Sequence, residues 1–183
     1  LSGICRSVLD VPVLPAATTW TKQITSNPAW VFADILTGTV NKKPMDKSRL
    51  HTPSLIEWAE FADEIPEMTP TIDWNLPRFQ TNFVLDYSST VQELIGQVTG
   101  AAQASMNIID GKYGVLIDKR KTTPVQIFTP RNSSGFSSVK NFSTKPDALA
   151  VKFIDPNKNW EINEAIVYDE GFTELNAVNI EEI

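Results

Sequence analysis

The sequence is poor in the side chains that most enzymes use. Among 183 residues there is one cysteine, Cys5, and one histidine, His51. A single cysteine excludes an intrachain disulfide. One Cys and one His cannot supply the four ligands of a standard structural zinc site. A Ser-His-Asp triad would have to use His51 as its base. That residue stands in a polar stretch before a helix start and reads as a surface residue, and no Gly-x-Ser-x-Gly elbow accompanies it. A thiol nucleophile would need Cys5 brought against His51, which nothing in the spacing suggests. A phosphate loop of the Gly-x-x-x-x-Gly-Lys type is absent. No apolar run approaches the length of a membrane span, and the first ten residues hold no apolar secretory core. Without a leader, Asn132-Ser133-Ser134 and Asn141-Phe142-Ser143 read as chance matches to the glycosylation pattern. No initiator Met opens the chain and no cap or turn closes it, so both ends are expected to be cuts in a longer polypeptide. No fixed-period repeat or low-complexity run is visible.

What is present is a well-mixed globular composition, 42% hydrophobic and 21% charged, with a net charge of −6. Such a chain is long enough to bury a core. Its negative sign argues against binding nucleic acid by general phosphate neutralisation. The charge is unevenly placed. Residues 1–49 carry +3. Leu50 to Pro77 hold no base and six acids, Glu57, Glu60, Asp63, Glu64, Glu67 and Asp73. Residues 78–158 carry +4, and seven acids with no base follow Lys158. Acidic blocks are ordinarily solvated faces. The other reading is a surface that faces and repels a polyanion.

The hydrophobic pattern divides the chain. Residues 1–26 read as strand and loop, with Val8, Val11, Val13 and Leu14 interrupted by Pro12 and Pro15. Asn27 as cap, Pro28 in the first turn and Gly38 as stop predict a helix, with Val31/Ile35 and Phe32/Leu36 paired on one side. A second helix is predicted from Thr52-Pro53, with a stripe of Leu55, Ile56, Ala59 and Ala62. Pro66, Pro70 and Pro77 then mark a linker over 67–77, the expected boundary between residues 1–66 and 78–183. Beyond it Phe79, Thr81, Phe83 and Leu85 alternate as a strand should. A capping-box pattern at Ser89-Thr90-Val91-Gln92 opens a helix carrying Val91, Leu94, Ile95, Val98 and Ala102. Asp110-Gly111 between apolar runs predicts a type I′ hairpin. Strands are expected at 125–128, roughly 136–143, 149–154 and 160–168, with a turn at Asp155-Pro156-Asn157. The fold class is therefore α+β: a small helical N-terminal subdomain, then a largely antiparallel sheet covered by one helix.

Candidate chemistry is thin. Glu57 and Glu60 could serve as paired acids for glycoside hydrolysis, but they lie on the polar side of their helix, away from a pocket that would raise a pKa. Lys119-Arg120-Lys121, with Arg131, Lys140 and Lys145, could touch phosphate or an acidic partner; a solvated loop is the plainer reading. Trp20, Trp30, Trp58, Trp74 and Trp160 are scattered, which favours packing over a glycan-binding row. Gly96 and Gly100, four apart in a predicted helix, read as packing glycines. No catalytic, cofactor-binding or metal-binding residue is assigned, and no cofactor is expected.

Four segments, in order, carry a family resemblance. Asn27-Pro28-Ala29-Trp30-Val31-Phe32-Ala33-Asp34-Ile35-Leu36-Thr37 is similar to a marker segment of the lambda-type tail-tip protein J family, the host-specificity or central tail-fibre proteins of long-tailed phages and prophages. Arg78-Phe79-Gln80-Thr81-Asn82 before a helix is the second. The Asp110-Gly111 hairpin with its basic strand end is the third. Phe136 to Lys145, Pro146-Asp147, then Ala150-Val151-Lys152-Phe153-Ile154-Asp155-Pro156-Asn157 and Trp160-Glu161 form the fourth. The match covers roughly residues 27–170. The glycine-rich stretch that usually follows the first helix is reduced to Thr37-Gly38-Thr39. The family's C-terminal fibronectin-like and receptor-binding parts, where host recognition resides, are absent from this sequence.

The resemblance implies a tail-hub-like fold and a structural, non-enzymatic role at the virion tail tip, in a protein made in the bacterial host cytoplasm. Such a hub closes the distal tail tube and supports host attachment and genome ejection. It implies other tail-tip and tail-tube proteins as partners and a homotrimer for the full-length protein. The piece alone is expected to be monomeric or weakly associating, with DNA passing but not specifically bound. An acidic surface turned to the lumen would suit that passage. The alternative reading is a tail-associated glycan-binding or glycan-degrading module.

Overall fold

A computed structural model describes residues 7–13, 19–39, 41–66, 76–83, 89–124, 126–140, 145–155, 158–159 and 161–183. The described elements make an α+β fold of helices and small sheets. The chain forms two compact units, Leu1–Pro124 and Val125–Ile183. The expected boundary at 67–77 does not coincide with that division. The helix and hairpin that follow it pack in the first unit with the earlier helices, because their apolar faces have no other core to enter.

The first unit begins with a hairpin. Strand β1, Val8–Pro12, pairs antiparallel with β2, Trp20–Ile24, in a register that sets Val11 opposite Thr21. Helix α1, Pro28–Thr37, follows. The Asn27 side chain accepts from the Ala29 N–H at 3.0 Å, and Pro28 stands in the first turn, where its missing N–H costs nothing. Phe32 and Leu36 are buried, while Val31 and Ile35 are half-buried. Gly38 ends the helix with its N–H on the Asp34 carbonyl.

Helix α2, Thr52–Asp63, starts at the predicted Thr-Pro pair, but Thr52 is its first residue and not its cap. Its cap is His51, whose Nδ1 accepts from the Ser54 N–H at 3.3 Å. His51 is therefore a half-buried structural residue and not the surface residue expected. Leu55, Ala59 and Ala62 are buried as the stripe required, and Trp58 joins them at zero exposure.

Helix α3, Val91–Ala101, carries a full capping box, but between Thr90 and Glu93, one position beyond the expected quartet. Ile95, Val98 and the C-cap Ala102 face the core. Gly96 and Gly100 do not: both are exposed with open space around them, so they are not packing glycines.

Strands β3, Ala104–Ile109, and β4, Lys112–Ile117, form the predicted hairpin. Asp110 and Gly111 have φ of 51° and 73°, the two left-handed positions that a type I′ turn demands. The start of α2 docks on β4. The His51 N–H donates to the Tyr113 carbonyl at 2.7 Å, and the Val115 N–H donates to Ser54 Oγ at 3.3 Å. Gly114 permits this approach: a Cβ there would stand 2.5 Å from Ser54 Oγ and 2.9 Å from His51 Cβ. Gly114→Ala is expected to cost about 1–3 kcal/mol by overpacking, read as a lower urea midpoint.

The strand expected over 79–85 is not formed at residues 79–83, and 84–85 lie outside the described residues. The Phe79 N–H donates to the Ala62 carbonyl and the Thr81 N–H to the Ser26 carbonyl, so this backbone is spent on the end of α2 and the approach to α1. Cys5, Pro70, Trp74, Trp160 and the Asn141-Phe142-Ser143 and Pro156-Asn157 stretches also fall outside the described residues.

The second unit holds a three-stranded sheet. Strand β5, Ala148–Asp155, lies between β6, Glu161–Tyr168, which is antiparallel to it, and β7, Ile180–Glu182, which is parallel. The parallel strand was not legible in the sequence. Residues 126–128 and 133–140 form no strand, contrary to expectation. The single helix-covered sheet expected after residue 78 is instead a hairpin packed on α3 in one unit and this separate sheet in the other.

Candidate functional site

A groove of about 590 Å³ in the first unit runs along the outer side of α2. Glu57, Glu60, Phe61 and Glu64 line one wall, since positions three or four apart on a helix share a side. Arg78 and the strand exit Asp118-Lys119-Arg120 line the other. The charges are largely answered inside the groove. Lys119 Nζ sits 2.7 Å from Glu57 Oε1, and an Arg78 terminal nitrogen sits 2.9 Å from Glu64 Oε2. Phe61 forms the floor between them, with the Arg78 guanidinium 4.8 Å and the Lys119 ammonium 5.9 Å from its ring centre. Each such half-exposed pair contributes only about 0–1 kcal/mol. Together they fasten the chain on either side of the Pro-rich stretch and the hairpin exit to α2.

This arrangement bears on each candidate residue. Glu57 and Glu60 are on the exposed side of α2, as expected. The Lys119 ammonium hydrogen-bonded to Glu57 holds its carboxyl below the ordinary range. A glycosidase acid needs the opposite shift. Lys119 faces Glu57 and not an external phosphate, so the basic cluster is divided between an internal tie and the neighbouring Arg120 and Lys121. The acidic block of 50–77 is likewise divided, because Glu57 and Glu64 are paired with bases from the middle of the chain while Glu60 and Asp63 face solvent. Arg131 lies on an exposed turn of the second unit. His51 and Ser54 approach one another, yet Ser54 Oγ donates to the His51 carbonyl and accepts from Val115. The imidazole is bonded to the Ser54 backbone, so no hydroxyl–imidazole pair is made.

Trp20, Trp30 and Trp58 stand in the packing of the first unit. Trp58 is fully buried and its Nε1–H donates to the Ala102 carbonyl at 3.0 Å. Its ring meets Phe32 edge-on at 6.1 Å, and Trp30 meets Trp20 edge-on at 6.2 Å. These are core contacts, not a row of stacking platforms. Over the half-buried Trp20, Lys47 places its ammonium 4.8 Å from the ring centre and 2.7 Å from Asp10. Lys47 and then Lys22, through their hydrogen bonds, lower the Asp10 pKa. Sequence separation hid this cluster, because nothing in the local pattern links position 10 to position 47.

Asp34 behaves in the opposite sense. Burial at the end of α1 raises its pKa, with Lys22 opposing. A carboxyl whose folded pKa lies above its unfolded value favours the fold while protonated, and that advantage is lost as pH rises through the folded pKa. Asp34→Asn is therefore expected to raise the melting temperature slightly near pH 7. The gain should vanish as pH falls through the acid range, as a melting series against pH would record.

No protein-family model matches this chain, and no curated protein matches it. Among the described residues no three His, Cys, Asp or Glu side chains stand close enough to hold a metal ion. No described helix is long and apolar enough to cross a membrane.

Proposed function

We propose that this chain is a structural piece of a phage or prophage tail tip, a hub fragment that helps close the distal tail tube and supports attachment and genome ejection without catalysis. The observation that carries the reading is where the four resembling segments lie. Asn27 to Thr37 is the cap and core face of α1. Arg78-Phe79 ties the chain to α2, through the Glu64 ion pair and a ring contact of 5.9 Å between Phe79 and Phe61. The Asp110-Gly111 turn makes the hairpin on which α2 docks. Ala150 to Asp155 is most of the central strand of the second sheet. In each segment the distinctive residues do architectural work, as residues of a scaffold protein would.

The glycan-degrading alternative is weakened by the ion-paired Glu57, and the glycan-binding one by the inward Trp30 and Trp58. Among the described acids of 50–77 the lumen idea narrows to Glu60 and Asp63, since Glu57 and Glu64 are paired with Lys119 and Arg78. In the full-length trimer DNA would pass such a surface without being held.

The test is immunogold electron microscopy of particles from the host, with antibody raised against this chain. Label confined to the distal end of the tail is the expected result. Label on capsids, or none on particles while the protein stays in the soluble lysate, would overturn the reading.

A further inference from the structure

Asp147 is a crossing point in the second unit. Its N–H donates to the Asn179 carbonyl at 2.8 Å, and its own carbonyl accepts from the Asp169 N–H at 2.9 Å. The side chain adds a third tie. One carboxylate oxygen, Oδ2, accepts from the Val178 N–H at 2.9 Å and from the Asn179 N–H at 2.8 Å. These two amides lead directly into β7. Such charge-assisted bonds are roughly twice as strong as neutral ones. The N–H groups of Asn179 and then Val178 hold the Asp147 carboxyl below its ordinary pKa range.

Among the described residues the other ties on β7 are slight. The strand is three residues long, each of them exposed. Its register on β5 runs from Ala148 to Ala150. Two bonds continue it, the Ile183 N–H to the Ala150 carbonyl at 3.0 Å and the Lys152 N–H to the Ile183 carbonyl at 3.3 Å. On the other side of β5, β6 pairs along the whole length from Ala148 to Asp155. The Lys152 ammonium stands 3.0 Å from Glu182 Oε2, but both side chains are more than half exposed, and such pairs contribute little. A segment with an exposed ladder and no buried apolar side chain opens at low free energy, apart from the strands behind it.

We propose that β7 is a detachable strand and that Asp147 is its latch: the ionised carboxylate holds Val178 and Asn179 at the head of β5, and its loss frees β7 while β5 and β6 stay paired. Release opens the β5 edge that β7 occupies, which is a template for another extended segment. The second unit alone carries this argument, so it does not depend on the tail-tip reading. The charged groups of the described segments that meet here are Lys145 beside the latch, Asp169 at the exit of β6, Lys152 in β5, and Glu181 and Glu182 in β7. A carboxyl whose folded pKa is depressed stabilises above its ordinary value, and that contribution is lost as pH falls through the folded value. Acid release therefore begins below the ordinary aspartate range, about pH 4.

Hydrogen exchange of the 183-residue chain, read amide by amide by NMR, tests it. The Ala148 and Lys152 N–H groups face β7, bonded to the Asn179 and Ile183 carbonyls. Those of Leu149 and Val151, between them, face β6 by strand alternation. In the wild type the first pair is expected to exchange faster than the second. Asp147→Ala should speed the first pair about tenfold, since two bonds to a charged acceptor are lost, and leave the second pair unchanged. Asp147→Asn keeps an oxygen in place without the charge and should give a smaller effect, about threefold. Below about pH 4 the wild type should lose protection at the first pair before the second, and Asp147→Asn should lack that step. Unchanged exchange in Asp147→Ala would show that the carboxylate is no latch. Loss of both pairs together would show that β7 is integral to the sheet. An acid step that persists in Asp147→Asn would assign the release to Glu182. Each of these three results would overturn the proposal.

Discussion

Replacing Trp58 by alanine is expected to lower the unfolding free energy of the first unit by about 3–5 kcal/mol. The indole is at zero exposure and sits where three elements meet. It belongs to α2, touches Phe32 of α1 and hydrogen-bonds the C-cap carbonyl of α3. Truncation empties a cavity that rigid helices cannot collapse into, and it strands the Ala102 carbonyl. The variant Trp58→Phe separates the two terms. It keeps most of the ring contact and loses the donor, so its cost should be about 1–3 kcal/mol. Urea unfolding followed by circular dichroism measures both. A Trp58→Ala midpoint close to the wild type would show that α2 and α3 are held by other contacts.

The second large effect is expected at Asn27, which is 4% exposed. Its Oδ1 caps α1, and its Nδ2 reaches the Ala59 carbonyl of α2 at 3.0 Å. One amide thus starts one helix and fixes it to the next. Asn27→Ala removes both bonds and should cost about 2–3 kcal/mol, a cap plus a buried hydrogen bond. Asn27→Asp keeps the cap and turns the cross-helix donor into an acceptor facing a carbonyl. Burial beside that oxygen raises the new carboxyl's pKa, so the penalty should be full at neutral pH and shrink as pH falls and the acid can donate. Equal stability of Asn27→Asp and wild type at pH 7 would show that the bond to Ala59 contributes nothing. These two contacts give the Asn of the Asn-Pro-Ala-Trp segment an architectural role.

Local signals were read correctly where the cause is local. A cap followed by proline needs only its own backbone, so α1 was placed with both ends. Positive φ at two successive positions needs only Asp-Gly, so the β3–β4 turn was placed to the residue. Helical stripes named Leu55, Ala59, Ile95 and Val98 as core. Three failures share one cause, which is competition from distant groups. Phe79 to Phe83 alternates like a strand, but the end of α2 and the approach to α1 took the Phe79 and Thr81 N–H groups. His51 looked polar and free, but the Tyr113 carbonyl and Ser54 claimed it. The Glu57 and Glu64 carboxylates looked like part of a solvated acidic face, but Lys119 and Arg78 come within 3 Å of them.

By itself the sequence determined the α+β class, the three helices with their inward faces, the hairpin turn and the scarcity of catalytic and metal-ligating side chains. These follow from spacing, capping and composition, which act over a few residues. Only the tertiary structure decided that the compact units divide after Pro124, that β7 runs parallel to β5, and that the basic middle of the chain neutralises part of the acidic block. Those outcomes depend on which surfaces meet across tens of residues. Strand partners and ion pairs are chosen by which surfaces the packed chain brings together, and no local pattern carries that information.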